Sequence, residues 1–316
     1  MLAVRLEKGV VRIREQTRPR RPEGFALIRL LQGGICNTDL ELQRGYYGFE
    51  GTPGHEFVGE VVEADSPDLP GERVVGEINL ACGHCEWCAK GLGRHCPNRT
   101  VLGIVKHPGA FGELLTLPER NLHRVPRTIP TEHAVFVEPL AAACEILDQV
   151  KIPRGDRVAV LGDGKLGLLI GQVLKAHGVE VHQYGRHKDK LRIATKAGID
   201  ARIAKKLPRA EYGWVVDATG SSEGLQQAVN MTKLRGTVVM KSTVHGTTGI
   251  NSASVIVNEI NLVGSRCGRF EPALRLLRKK LVDVESLISE VLPLQDAPLA
   301  FRRAATPGVL KVILQG

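Results

Sequence analysis

The pattern of apolar and polar positions changes texture near residue 139. Before it, short runs rich in Val, Ile and Leu occupy residues 3–6, 10–13, 25–30 and 56–62. Gly and Pro clusters such as Pro19-Arg20-Arg21-Pro22 and residues 67–71 separate them. Short apolar runs cut by turn residues predict a β-rich region. Residues 139–150 then carry Leu140, Ala143, Cys144 and Leu147 on one helical face. From Asp156 onward, strands expected at 157–161, 179–184, 214–217 and 237–240 alternate with helices at 168–176, 188–197 and 224–231. Such alternation implies a parallel sheet with crossover helices, an α/β unit. The tail adds an amphipathic helix at 272–281, with Leu274, Leu277 and Leu281 aligned, and a strand at 309–314. No internal repeat or low-complexity segment interrupts this order.

Composition narrows the class. At 316 residues the chain suits about two domains. With 43% hydrophobic and 24% charged residues it is not a disordered chain. No apolar run approaches the ~20 residues of a membrane helix. The first residues alternate instead of forming an apolar signal core, so a cytoplasmic protein is expected. The net charge of +9 and pI near 9.3 are compatible with nucleic acid, a membrane surface or an anionic small ligand. Seven cysteines, an odd number without a secretion signal, argue against a disulfide framework and toward metal.

Three constellations carry chemistry. Cys82, Cys85, Cys88 and Cys96 form C-x2-C-x2-C-x7-C, a spacing that suits a closed, structural four-sulfur zinc site. A three-Cys, one-His variant using His84 or His95, and an iron–sulfur cluster, share that spacing. Next, Cys36, His55, Glu56 and Glu138 offer one thiolate, one imidazole and two carboxylates, of which three would leave a catalytic zinc an open position. Finally, Gly162-Asp163-Gly164-Lys165-Leu166-Gly167 is G-x-G-x-x-G between an apolar strand and a helix, the setting of a dinucleotide-phosphate loop. The acid that would hold an NAD ribose about 20 positions later is absent. The strand ends at Gly185, followed by Arg186, His187 and Lys188. A 2′-phosphate would then meet no repulsion and could be bound by Arg186, so NADP(H) is favoured over NAD(H).

Taken in order, G-I-C-x-T-D at residues 34–39, G-H-E-x-x-G-x-V at 54–61, the four cysteines, Glu138-Pro139, the glycine loop and Asp217-Ala218-Thr219-Gly220 resemble the zinc-dependent medium-chain dehydrogenases. The resemblance spans essentially the whole chain. It implies a GroES-like β-barrel catalytic domain from residues 1–138 and 269–316, with the structural lobe at 82–96. It also implies an inserted Rossmann domain at 139–268, two zincs per subunit, and a homodimer or homotetramer.

Carried over position by position, the resemblance makes Cys36 and His55 catalytic zinc ligands, with Glu56 or Glu138 as the third. Thr38 would begin the proton relay, and Asp39 would orient the zinc-ligating histidine. A relay histidine of the family is Glu41 here, which would carry the proton in its place unless the relay ends at ordered water. Gly185, Arg186, His187, Thr219 and Gly220 would line the cofactor site with the glycine loop. Lys311 matches a basic residue near the cofactor pyrophosphate in some members, or is a surface lysine. The implied reaction is hydride transfer between a nicotinamide cofactor and an alcohol, polyol, sugar or amino-alcohol, without nucleic-acid or membrane partners. The competing readings are a zinc-ribbon nucleic-acid binder with a non-catalytic Rossmann domain, and a zinc-free quinone or enone reductase.

Overall fold

Strand Phe25–Gly34 organises the first of two units. In the computed structural model, which describes residues 1–243 and 248–316, this unit comprises Met1–Glu138, Ala273–Arg278 and Ile288–Gly316. Strand Glu56–Glu63 pairs antiparallel with Phe25–Gly34, and Lys311–Gln315 also pairs with it antiparallel, from the far end of the chain. Leu114–Pro118 pairs with its first half. Arg73–Gly76 and Leu122–Arg124 extend the same sheet on one side, and Ile288–Pro293 on the other. Leu27, Ile28, Leu30, Val58, Val61, Val74, Leu117 and residues 312–314 are fully buried. The rings of Phe111 and Phe301 meet edge to face at 6.2 Å, the geometry that the aromatic quadrupole favours.

The second unit, Pro139–Pro272 with Lys279–Leu287, holds a six-stranded parallel sheet. Its order is Asp200–Ile203, Glu180–Gly185, Arg157–Leu161, Tyr212–Asp217, Thr232–Met240 and Asn261–Gly264. Val158, Ala159, Val160, Val215, Val216, Val238 and Val239 are buried, as expected of strands covered on both faces. The chain leaves Arg157–Leu161 toward one side of the sheet and later returns to its other side. The carboxyl ends of these central strands therefore form a topological switch point, where such sheets bind ligands.

Two expectations shift. Strand Thr232–Met240 starts five residues before 237, because its lead-in is an irregular segment with Arg235 at φ 61° and no alternation to reveal it. The chain also rejoins the first unit at Ala273, not 269, and Lys279–Leu287 packs with the second. The reason is polar: buried Gln172 accepts the Asp283 N–H at 2.5 Å and donates to its carbonyl at 3.1 Å, while Lys196 pairs with the Asp283 carboxylate. Among the described residues no helix is long and apolar enough to cross a membrane.

Candidate metal and cofactor sites

Sheet register builds the first site. Gly34, at the end of its strand, is the partner of Glu56, which opens the neighbouring strand directly after His55. Cys36 follows two residues later as the N-cap of helix Asn37–Gln43. The ligand atoms of Cys36, His55 and Glu56 consequently lie within 4.8 Å of one another. Asp39 holds the arrangement: one carboxylate oxygen accepts the Cys36 N–H at 2.8 Å, and the other accepts the Gly54 N–H at 3.1 Å. That second oxygen also faces His55 Nδ1 at 3.4 Å, and among the described residues Nδ1 has no hydrogen-bond partner. Asp39 is fully buried, so the orientation of the imidazole is fixed by a carboxylate behind it, as ligating histidines require. Burial pushes the His55 pKa down, but the Asp39 charge and Cys36 outweigh it and hold the imidazole well above its usual value. A metal entering this group therefore displaces a proton.

The sequence did not announce the pocket's counter-charge. Lys311, expected near the cofactor or on the surface, is 1% exposed and forms an ion pair with Glu56. Its ammonium also lies 3.4 Å from the Ile35 carbonyl and 5.7 Å from the centre of the Phe136 ring. Burial lowers its pKa, yet Glu56, Cys36 and Asp39 together raise it above the ordinary lysine value. Gly34 makes the pair geometrically feasible. A Cβ there would stand 2.7 Å from Glu56 Oε2 and 3.2 Å from Lys311 Cδ. Thr38 Oγ1 lies 3.8 Å from Cys36 Sγ. Glu138, in the first turn of helix Val137–Gln149, stands outside the donor group, and Glu41 is spent on an ion pair with Arg44 at 2.6 Å.

Cys82, Cys85, Cys88 and Cys96 converge as the second donor group. Four sulfur–sulfur separations are 3.5, 3.5, 3.7 and 4.0 Å. Tetrahedral Zn–S bonds of about 2.3 Å place sulfurs about 3.8 Å apart, so the cage fits one zinc ion. It is too small for a multi-iron cluster. All four donor atoms are cysteine sulfurs; His84 instead contacts the Cys82 carbonyl at 3.0 Å. Backbone N–H groups, that of His84 foremost, lower the Cys82 thiol pKa to about 6 and favour the ligating thiolate.

The third site lies at the switch point. Gly162, at φ 117°, passes so close to the next strand that a Cβ would sit 2.3 Å from the Ala218 carbonyl. A Cβ on Gly167 would sit 2.4 Å from the Gly162 carbonyl, which fixes close helix–strand packing. Gly164 differs: its φ of −74° suits any residue, and nothing lies within 4 Å of where a Cβ would be. It caps helix Lys165–His177, whose first-turn N–H groups, from Lys165 and Leu166 onward, face that open space as a phosphate cradle does. Asp217 accepts the N–H and hydroxyl of Thr219 at 3.0 and 2.8 Å, and Ser242 accepts the Gly220 N–H, which shapes the facing loop.

One expectation needs correction here. The end of strand Glu180–Gly185 is not without a carboxylate. Asp163, from inside the glycine loop, puts its carboxylate there and accepts the N–H groups of Arg186 and His187, each at 2.7 Å. The available signal was an acidic residue between the first two glycines combined with a glycine at the strand end.

The comparisons agree with this geometry. Residues 22–127 match the family model of the alcohol dehydrogenase GroES-like domain, and residues 166–279 match that of the zinc-binding dehydrogenases. A sorbitol dehydrogenase from Halalkalibacterium halodurans is 28% identical over 97% of this chain and 96% of its own. A zinc-binding dehydrogenase from Sinorhizobium meliloti, solved bound to NADP, superposes with a TM-score of 0.91 at 28% identity, covering 100% of this chain and 99% of that one. An Escherichia coli alcohol dehydrogenase solved with NADH gives 0.92 at 25% identity over the same shares. These matches do not support the nucleic-acid binder or the zinc-free reductase. With the two family models covering both units and the donor groups in place, the chain belongs to the zinc-dependent medium-chain dehydrogenase/reductase family.

Proposed function

We propose that the protein is a cytoplasmic, zinc-dependent dehydrogenase that exchanges a hydride between NADP(H) and a polyol or related sugar alcohol. The observation that carries this reading is the buried Cys36–His55–Glu56 group with Thr38 beside it. Cys36, His55 and Glu56 would hold the catalytic zinc, and the four lobe cysteines a structural one. Zinc there supplies a Lewis acid that polarises the substrate oxygen, and the nicotinamide supplies the hydride chemistry.

The chain's own residues do the rest. Asp39 keeps the His55 ring in register, and the Lys311 ammonium offsets the negative charge that Glu56 and Cys36 concentrate in the pocket. The Thr38 hydroxyl takes the substrate proton and passes it toward solvent. Glu41, paired with Arg44 at the surface, would carry that proton onward, or the relay would end at ordered water. Arg186 and His187 receive the cofactor 2′-phosphate. The polyol class is supported by the sorbitol dehydrogenase relative and by a pocket whose third donor is a carboxylate.

The same reading includes a homodimer or homotetramer. Among the described residues strand Asn261–Gly264 is an edge of the parallel sheet, and Leu234, Ile256 and Val257 are 70%, 72% and 76% exposed. Exposed apolar side chains and a sheet edge suit self-association. The test is a screen with NADP⁺ and NAD⁺ over alcohols, polyols, aldoses and L-threonine, with zinc quantified in the same preparation. Turnover of polyols with NADP⁺ at two zincs per chain is the expected result. One zinc per chain, or no turnover in any class, refutes the reading.

A further inference from the structure

Asp163 occupies a space that the ribose-binding acid of an NAD enzyme would claim. A Cβ added to Gly185 would lie 2.5 Å from Asp163 Cβ and 2.6 Å from its Oδ2, so a side chain at 185 and the Asp163 carboxylate exclude one another. The carboxylate is also engaged by its own chain, mainly through Oδ2. Oδ2 accepts the N–H groups of both Arg186 and His187 at 2.7 Å, and His187 Nδ1 lies 3.2 and 3.1 Å from the two oxygens. The Asp163 side chain is 10% exposed, whereas the His187 side chain it grips is 54% exposed. With Oδ2 held by two backbone amides and the imidazole, and the side chain 10% exposed, the carboxylate is oriented toward its own turn rather than outward. Its work is mechanical: it ties the turn after the strand to the phosphate loop. From that turn the Arg186 side chain projects into solvent, and among the described residues no ion pair engages it.

We propose that Asp163 is the positioning residue for cofactor selectivity. By pinning the 185–187 turn, it presents the Arg186 guanidinium and the outer face of the His187 ring to a 2′-phosphate. The inference rests on the NADP(H) reading and explains why Gly185 accompanies Asp163. The glycine does more than omit an acid, since it leaves room for the residue that orders the phosphate donors.

The test uses the full-length protein and the quenching or enhancement of NADPH and NADH fluorescence on binding, with no turnover required. Asp163→Ala weakens NADPH at least about tenfold and NADH no more than about threefold, because charge-assisted contacts to the phosphate depend on the turn. Asp163→Asn, whose amide oxygen still accepts both N–H groups, restores NADPH to within about threefold of the parent protein. Gly185→Ala, which must displace Asp163, reproduces the Ala phenotype by a separate route. Equal weakening of both cofactors would show a merely structural role. Tighter NADPH binding in Asp163→Ala would show that the carboxylate repels the phosphate. Either result overturns the proposal, as does an Asn variant no better than the Ala variant. Absence of NADPH preference in the unsubstituted protein fails the cofactor reading itself, and it is measured before any substitution is made.

Discussion

The two donor groups for metal are built on opposite plans. The lobe draws four thiolates from the fifteen residues between Cys82 and Cys96, and three of the four are only half buried. Apart from backbone N–H groups at the sulfurs, it recruits little from the rest of the fold. The Cys36–His55–Glu56 group instead depends on strand register, a helix cap, a buried aspartate and a lysine from the last strand. The lesson concerns charge. Four thiolates in a half-exposed loop need a cation to justify their proximity, so metal is expected to fold the lobe. The Cys36–His55–Glu56 group already contains its cation, the Lys311 ammonium, and the fold can hold it without metal.

This contrast can be broken by substitution. The largest effect is expected at the catalytic donors. Cys36→Ser or His55→Ala should reduce turnover by on the order of 10³-fold or more. Cofactor affinity, read by fluorescence titration, should stay within about twofold. Retained activity would mean the group is not the reaction centre. Next comes Lys311→Met, which leaves the Glu56 carboxylate buried without its partner. In protein stripped of metal it should cost about 3–5 kcal/mol in denaturant unfolding. Zinc reloading should recover part of that loss, because the metal then supplies the missing positive charge. An equal loss with and without zinc would deny the shared electrostatic role.

Asp39→Asn is expected to be milder, with a loss of roughly 10–100-fold in zinc affinity or activity as the imidazole loses its orienting carboxylate. The smallest effect on catalysis belongs to the lobe. Cys85→Ser should release one zinc per chain and raise amide exchange locally across residues 82–96, while turnover per remaining zinc stays within about threefold. Global unfolding of the barrel on this change would erase the distinction between a self-contained lobe and a scaffold-built pocket.

What could be read from residue order follows the same division. The four cysteines and the glycine loop are legible because their partners are neighbours in sequence and the spacing itself is the geometry. Cys36, His55 and Asp39 were legible only through resemblance, since no spacing rule links residue 36 to residue 55. Residue order does not separate Glu56 from Glu138 either, because only strand pairing brings Glu56 opposite Gly34 and so beside Cys36 and His55. The Lys311–Glu56 pair, 255 positions apart, leaves no local trace at all. The role of Asp163 was hidden for a different reason. The strand-end position itself, Gly185, carries no acid, and the chain delivers a carboxylate to that place from the neighbouring loop and binds it with main-chain donors. Pattern reading counts side chains, and it has no access to which amides a carboxylate will find.

The long reach from Glu56 to Lys311 also has a consequence in time. At elongation rates of 5–20 residues per second, the 255 residues between them take roughly 13–50 s to make. For that interval the nascent chain carries Cys36, His55 and Glu56 without the strand that neutralises them, while the cysteine lobe is complete soon after Cys96 emerges. The lobe's four donors are therefore all present long before the pocket gains its counter-charge. The final strand then acts as a latch that closes the acidic pocket only after the whole nucleotide-binding unit has been synthesised.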